Sequence, residues 1–351
     1  MTQNSTKMKN RKKTLELNDR NYRSTTLKIG IALIIFYELF SLLSTVAMIP
    51  GAVMDSIEGE TTVFSYSLTE ILLMIAYILG FVVPAIALWL FLRKKQPYQP
   101  IKKQWHVPAV APLIILSAVA LNFAASYMNS YLVTLLLPFQ MGDMSTLIGG
   151  ADELHEILLM FVSIAVIPAI VEEILFRGVI LSNLMPYGRT AAILGSAVLF
   201  GLMHGNILQF FYTTMLGVVL GYVCVRTKSI WCGIIIHFVN NGISVVQEVC
   251  MSCLEADAAA RVVGAIELVI MIGGAVSAVI LLLIHFKQKK PEDHGSFGVT
   301  FEPDLDYEQL PVTRSLKLRR FFSPTMIVFA ALSTVNMIVT LVVLMMAGAM
   351  T

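Results

Sequence analysis

The sequence predicts an all-α polytopic membrane protein with about eight or nine transmembrane helices. Of its 351 residues, 57% are hydrophobic and only 14% are charged, which is too little charge to cover a water-soluble protein of this length. The apolar residues are collected into long runs, and the loops between these runs alternate between basic and acidic. Together these two observations predict the fold class.

Nine apolar runs are candidates for crossing a hydrocarbon core about 30 Å thick. They lie at about 29–52, 68–92, 108–137, 157–185, 190–204, 208–225, 230–249, 262–286 and 324–349. The fifth run is short for a span, so the count of eight or nine depends mainly on the fifth and ninth runs. In the sixth run, Gly217-x-x-x-Gly221 predicts close packing against a neighbouring helix.

The charges of the loops predict how the chain is oriented. Basic clusters occur at the N-terminus and after the second, fourth, sixth and eighth runs, and acidic loops follow the first, third and seventh. Because basic loops remain on the cytosolic side, we expect a multi-pass protein of the cell membrane with a cytosolic N-terminus. We interpret residues 1–28 as a disordered basic tail on anionic lipid. Nucleic-acid binding is not expected, because this tail is tethered beside a membrane span.

Three charged residues, Glu172, Glu173 and Arg177, interrupt the fourth apolar run. Ionisable side chains are costly inside a membrane and mark a functional site with partners. Glu173 and Arg177 are four residues apart and share one helix face, whereas Glu172 points about 100° away from Glu173. The pattern predicts an ion pair and a separate carboxylate. A pair that only fixes helix register is the alternative for Glu173 and Arg177.

Two later runs carry candidate partners for the glutamates. His204 ends the fifth run with Phe200 one turn before it, and His237 lies in the seventh run with Asn241 one turn after it. At about 1.5 Å of rise per residue, these side chains and the glutamates lie at overlapping depths. We therefore predict one site, walled by Phe200. Asn240 is also a helical neighbour of His237, so spacing alone does not choose between Asn240 and Asn241.

These residue types fit the addition of water to an amide carbonyl. A buried carboxylate can take a proton from water, a histidine can orient that water, and a second histidine with an asparagine can stabilise the oxyanion. A metal ion that acidifies water is an alternative, although the His-Glu-x-x-His signature of zinc peptidases does not occur. Other functions allowed by the pattern are an ion-coupled transporter and a non-catalytic bacteriocin-immunity or peptide-binding protein. No second Glu-Glu segment marks the repeat typical of transporters.

The three motifs are Glu172-Glu173-x-x-x-Arg177, Phe200-x-x-x-His204 and His237-x-x-x-Asn241, in this order. They resemble the CPBP family of intramembrane proteases, also called Abi, which includes type II CAAX prenyl endopeptidases and bacteriocin-processing or self-immunity proteins. The resemblance implies an intramembrane endopeptidase in which Glu172 activates water with His204 beside it. It also implies that His237 and Asn241 form the oxyanion hole, and that Glu173 and Arg177 hold the site together.

The resemblance leaves the metal open, because the family's mechanism has been described both as metal-dependent and as dependent on glutamate alone. We expect no tightly bound cofactor, with zinc on Glu172, His204 and His237 as the alternative. The expected partners are a peptide or membrane-protein substrate and the lipid bilayer. The predicted organisation is a cytosolic basic tail (1–28), N-terminal transmembrane helices (29–154), a protease core (155–250) and C-terminal transmembrane helices (251–351) with a polar loop at about 287–323.

Overall fold

The computed structural model describes residues 2–58, 63–92, 109–136, 153–288 and 314–350, and within these ranges it contains helices and no strand. The helices are α1 (Thr2–Glu58), α2 (Val63–Leu92), α3 (Ala111–Leu136), α4 (Leu154–Tyr187), α5 (Arg189–Met203), α6 (Ile207–Thr227), α7 (Ile230–Cys253), α8 (Ala256–Gln288), α9 (Arg314–Phe321) and α10 (Pro324–Met350).

Eight of the described helices are long and apolar enough to cross a membrane, which confirms the predicted fold class. The exception among the nine predicted spans is α5, an apolar helix of 15 residues. At 1.5 Å per residue α5 is about 22 Å long, which is shorter than the hydrocarbon core. A helix of this length that starts at one membrane surface ends below the other, and His204 directly follows its last residue.

The prediction of a disordered tail over residues 1–28 is wrong, because residues 2–28 belong to the helix α1. Tyr22 and Thr26 are buried, and the Tyr22 ring lies 4.7 Å from the ring of Tyr187. The Thr26 hydroxyl donates to the carbonyl of Arg320 at 2.8 Å. The prediction weighed only the charge of the segment, whereas its Lys, Arg, Leu and Glu residues favour helix and its few small and aromatic residues pack against the bundle.

Two other predictions fall partly outside the described ranges. Of the polar loop predicted at 287–323, Arg314–Phe321 forms the helix α9, and residues 289–313 lie outside the described residues. The basic loop after the second span and the acidic loop after the third lie outside them as well. The cytosolic N-terminus therefore stays a prediction.

The helix α4 lies at the centre of the bundle, where it packs against α2, α5, α6 and α7. Its side chains Leu175, Phe176 and Ile180 are fully buried. The neighbouring pair α5 and α6 is closely packed, because a Cβ atom on Gly217 would lie only 2.9 Å from the Cα atom of Ala197. This confirms the packing predicted from the two glycines of α6. All three motifs therefore lie on helices that surround or form the core.

Candidate active site

The helix α4 is irregular where it carries the charged residues. Wide π-helical turns cover Phe161–Val166 and Ile174–Leu181, on either side of the α-helical stretch Ile167–Glu173. Pro168 has no N–H group and so cannot bond to the carbonyl of Ile164, its partner in a regular helix. Turns of this kind change the direction of the side chains that follow and often occur at functional sites.

Glu173 and Arg177 form the predicted ion pair. The Nη1 atom of Arg177 lies 2.6 Å from Oε1 of Glu173, and both side chains are fully buried. The Nη2 atom of Arg177 donates to the carbonyl of Gly217 at 3.1 Å, and its guanidinium lies 4.6 Å from the centre of the Phe200 ring. Arg177 thereby joins α4 to α5 and α6, so the pair both neutralises buried charge and holds three helices together.

His237 lies between the two glutamates. Its Nδ1 atom is 3.1 Å from Oε1 of Glu173, and its Nε2 atom is 3.9 Å from Oε2 of Glu172. Because the Glu173 carboxylate accepts the Nδ1 hydrogen, a neutral imidazole presents the Nε2 lone pair towards Glu172. Glu173 therefore fixes the tautomer of His237, as the third group of a catalytic triad does.

Glu172 is separated from the ion pair, as helical phase predicted. Its Oε1 atom accepts a hydrogen bond from the hydroxyl of Tyr77 on α2. Its Oε2 atom is buried and has no hydrogen-bond partner among the described residues. A buried carboxylate oxygen is costly unless water or a ligand bonds to it. The free oxygen of Glu172 therefore points to the place where a polar ligand is needed.

His204 and Phe200 lie together at the end of α5. The Nδ1 atom of His204 is 2.8 Å from the carbonyl oxygen of Phe200, which leaves Nε2 as the nitrogen available to the site. The Phe200 ring lies 5.0 Å from the His204 ring and 5.9 Å from the His237 ring. The Phe200 ring therefore lies beside both histidine rings.

The structure distinguishes Asn240 from Asn241. Asn240 is buried and bonded to Asn122 and to the hydroxyl of Tyr212, and it donates to Oδ1 of Asn241 at 3.1 Å. Asn241 is only partly buried, and its Nδ2 atom donates to the carbonyl of Ile164 at 2.9 Å. Pro168, which has no N–H group, cannot donate a hydrogen bond to that carbonyl. Asn241 thus presents an amide donor at the irregular turn of α4, whereas Asn240 belongs to a packed polar cluster.

The sequence alone did not reveal Tyr77. It lies in the second apolar run, far from the three motifs, and only its position in the middle of a span is unusual, because tyrosine prefers the two membrane interfaces. That signal is weak in a chain with 11 tyrosines. The contact with Glu172 depends on how α2 packs against α4, which no local pattern encodes.

The zinc alternative named Glu172, His204 and His237 as ligands. Within the described ranges, no three His, Cys, Asp or Glu side chains are arranged to hold a metal ion. The hydrogen bonds to Tyr77 and Glu173 leave Oε2 of Glu172 and Nε2 of His237 free, but no third side chain of these types among the described residues completes a group with them. The residues therefore do not fit a three-ligand site as they are placed, and the steps proposed below use the side chains themselves.

Gly233 allows α7 to approach the ion pair. A Cβ atom at this position would lie 2.6 Å from Sγ of Cys224 and 2.9 Å from Oε2 of Glu173. We expect Gly233→Ala to cost about 1–3 kcal/mol of stability through overpacking and to lower activity by displacing Glu173. The control is Gly264→Ala on α8, where an added Cβ meets no atom within 4 Å. Equal melting temperatures for the two variants would contradict this close approach.

Comparison with known proteins agrees with the motifs. Residues 154–243 match the family described as type II CAAX prenyl endopeptidase Rce1-like, and this segment contains every predicted site residue. A Bacillus subtilis (strain 168) protein named "Putative membrane peptidase YdiL" is 31% identical over 100 residues, which cover 28% of this chain and 40% of that protein. No solved structure matches. The segment from α4 to α7 that carries the three motifs in this multi-pass membrane protein is thus similar to type II CAAX prenyl endopeptidases, which agrees with the resemblance of the motifs to the CPBP family.

Proposed function

We propose that this chain is an intramembrane endopeptidase that hydrolyses a peptide bond with water activated by Glu172. The observation that carries the proposal is the free, buried Oε2 atom of Glu172, which faces the Nε2 atom of His237 at 3.9 Å. A polar gap of this length is too long for a direct hydrogen bond and suits a bridging water molecule. The match of residues 154–243 to a family of membrane endopeptidases supports the same activity.

In the first step, this water donates its hydrogens to Glu172 and His237, which leaves an oxygen lone pair for attack. The water oxygen bonds to the substrate carbonyl carbon while its proton passes to Oε2 of Glu172. His237 is held for this role by Glu173, which accepts the hydrogen of Nδ1.

The negative charge that develops on the carbonyl oxygen needs a donor. Asn241 has two N–H hydrogens on Nδ2, and the bond to Ile164 uses one of them. The second is available to the oxyanion, as the family resemblance implies for this residue. When the intermediate collapses, the carbon–nitrogen bond breaks and the leaving nitrogen takes the proton from Glu172. We assign His204, whose ring lies 5.0 Å from that of Phe200, to assist this second proton transfer.

We expect Asn241→Ala to lower kcat by about 10²–10³-fold with little change in KM, because an oxyanion donor acts mainly in the transition state. The matched control is Asn129→Ala. Asn129 likewise donates from Nδ2 to a backbone carbonyl, that of Leu208, at 2.6 Å, but it has no bond to Asn241. If both variants lower kcat equally, Asn241 has no special role in the reaction.

The substrate we propose is a peptide that reaches the site from the membrane surface or laterally from lipid, and the family description points to C-terminal Cys-aliphatic-aliphatic-X sequences. We also propose that the N-terminus faces the cytosol, in agreement with the charges of the loops. Whether an isoprenyl group is required is a separate question from cleavage itself.

The experiment uses the purified full-length chain in lipid vesicles and an internally quenched peptide that ends in Cys-aliphatic-aliphatic-X, with and without an isoprenyl group on the cysteine. We expect the fluorescence to rise and mass spectrometry to show a released C-terminal fragment for at least one of the two probes. Absence of cleavage of both probes by correctly folded protein would count against the proposed activity and favour a binding function.

A further inference from the structure

One polar side chain from each of the first three helices contacts one of the three site motifs. These helices, α1, α2 and α3, lie outside the matched segment 154–243. We propose that Tyr37, Tyr77 and Asn122 are positioning residues for the proposed reaction, one for each motif. The inference rests on the proposed function and extends it to helices that the family match does not reach.

Tyr77 on α2 holds the Glu-Glu motif. Its hydroxyl donates to Oε1 of Glu172, so the carboxylate cannot rotate and its free oxygen stays directed at His237. The Tyr77 ring is itself held by aromatic neighbours, with its centre 5.6 Å from that of Phe40 and 4.8 Å from that of Phe81. The Tyr77 hydroxyl thus occupies Oε1 of Glu172 and leaves Oε2 available as the base.

Tyr37 on α1 holds the end of α5 that precedes His204. Its hydroxyl lies 2.9 Å from the carbonyl oxygen of Leu202 and 3.0 Å from that of Met203. The last carbonyls of a helix lack regular partners within the helix, so an external donor can determine where they point. Because His204 comes directly after these two residues, the Tyr37 hydroxyl fixes the backbone that carries it.

Asn122 on α3 holds the third motif through Asn240. Its Nδ2 atom donates to Oδ1 of Asn240 and to the hydroxyl of Tyr212, the latter at 3.0 Å. Asn240 in turn donates to the same hydroxyl at 2.8 Å and to Oδ1 of Asn241 at 3.1 Å. Once the oxygen of Asn241 is engaged in this way, its Nδ2 atom must face the opposite side, towards Ile164 and the site.

These three contacts share one feature that distinguishes them from ordinary packing. Tyr77 contacts a group that the proposed reaction uses, Tyr37 contacts the backbone just before one, and Asn122 contacts a side chain that is bonded to one. Each of the three comes from a different helix. Polar side chains in membrane bundles commonly bond between helices, so their presence alone indicates only stabilisation. The convergence on the three motifs is what indicates positioning.

The decisive comparison is between Tyr77→Phe and Tyr127→Phe. Both changes delete a tyrosine hydroxyl that donates to a glutamate within an apolar helix, Glu172 in the first case and Glu267 on α8 in the second. Tyr127 lies on α3 and has no contact with the motifs among the described residues. The assay is cleavage of the quenched Cys-aliphatic-aliphatic-X peptide by the full chain in vesicles, together with the melting temperature of each variant.

We expect Tyr77→Phe to lower kcat by about tenfold or more with KM little changed, which is the effect of losing a hydrogen bond to a charged reacting group. We expect Tyr127→Phe to keep the wild-type kcat even if its melting temperature falls as far. A Tyr77→Phe variant with wild-type kcat, or equal losses of kcat in the two variants, would overturn the positioning role. A wild-type chain that cleaves no probe would instead overturn the proposed function.

A second comparison tests the indirect residues. If Asn122 acts through Asn241, then adding Asn122→Ala to Asn241→Ala should lower kcat no further than Asn241→Ala does alone, since the effects of coupled residues are not additive. Tyr37→Phe alone should lower kcat. In a chain that already carries His204→Ala, adding Tyr37→Phe should lower kcat no further. Asn129→Ala, on the same helix as Asn122, should be independent of Asn241→Ala. Additive losses for Asn122 or Tyr37 would show a purely structural role and contradict the inference.

Discussion

Glu172→Gln is expected to lower kcat by about 10²–10⁴-fold, the range typical of losing a general base. The substitution keeps the size of the side chain and an oxygen that can accept the Tyr77 hydrogen bond, but an amide cannot take a proton from water at neutral pH. Folding and membrane insertion should therefore be retained. The measurement is the rate of cleavage of the quenched peptide by the variant in vesicles, compared with its melting temperature.

The control for this variant is Glu267→Gln. Glu267 is also a carboxylate on an apolar helix, and it accepts hydrogen bonds from Tyr127 and, at 2.9 Å, from Gln247. It lies outside the three motifs and the matched segment. We expect Glu267→Gln to cleave the probe at the wild-type rate. Wild-type cleavage by Glu172→Gln would mean that another group activates the water.

Arg177→Met is expected to cost about 3–5 kcal/mol of stability, because it leaves the Glu173 carboxylate buried without its cation. The variant also loses the bond to the Gly217 carbonyl and the contact with Phe200, so α4, α5 and α6 lose a shared attachment. Methionine retains much of the length and apolar character of the arginine stem. The measurement is thermal unfolding of the purified chain in detergent.

The double variant Glu173→Gln/Arg177→Met separates charge from packing. Removing both charges eliminates the uncompensated carboxylate, so the double variant should be more stable than Arg177→Met alone. It should remain poorly active, because glutamine is a weaker acceptor for the Nδ1 hydrogen of His237. If the double variant is the less stable of the two, the cost of Arg177→Met does not come from the buried charge.

The fold class and the contacts of several candidate site residues were predictable because they depend on local patterns. Long apolar runs determine the spans, and four-residue spacing determines which side chains share a helix face, so the Glu173–Arg177 pair followed from the sequence. The separation of Glu172 from that pair followed from the same helical geometry. The wall formed by Phe200 is likewise a contact one turn from His204.

Other features depend on contacts between distant helices, and no local pattern encodes them. Tyr37, Tyr77 and Asn122 lie in apolar runs that differ little from ordinary spans, and only the packing of α1, α2 and α3 brings them to the motifs. The choice between Asn240 and Asn241 was open for the same reason. Only the neighbouring helices show that Asn240 is enclosed and that Asn241 bonds to the irregular turn of α4.

The structure adds contacts of His237 that the motifs did not imply. The resemblance paired His204 with Glu172 and assigned His237 to the oxyanion, whereas the structure places Nε2 of His237 3.9 Å from Glu172 and bonds its Nδ1 to Glu173. Both glutamates are on α4 and His237 is on α7, so this arrangement depends on the tertiary contact that Gly233 allows. We therefore propose His237, rather than His204, as the partner of Glu172 in holding the water.

Hydrolysis by water that Glu172 activates is tested most directly in cells. The protein termini in cells that express the wild-type chain are compared with those in cells that express Glu172→Gln at equal levels. Mass spectrometry of membrane and peptide fractions would identify the newly formed ends. We expect a defined set of cleaved termini that appears with the wild-type chain and is lost with Glu172→Gln, while Glu267→Gln retains it. The same termini in the Glu172→Gln cells would contradict hydrolysis by water that Glu172 activates.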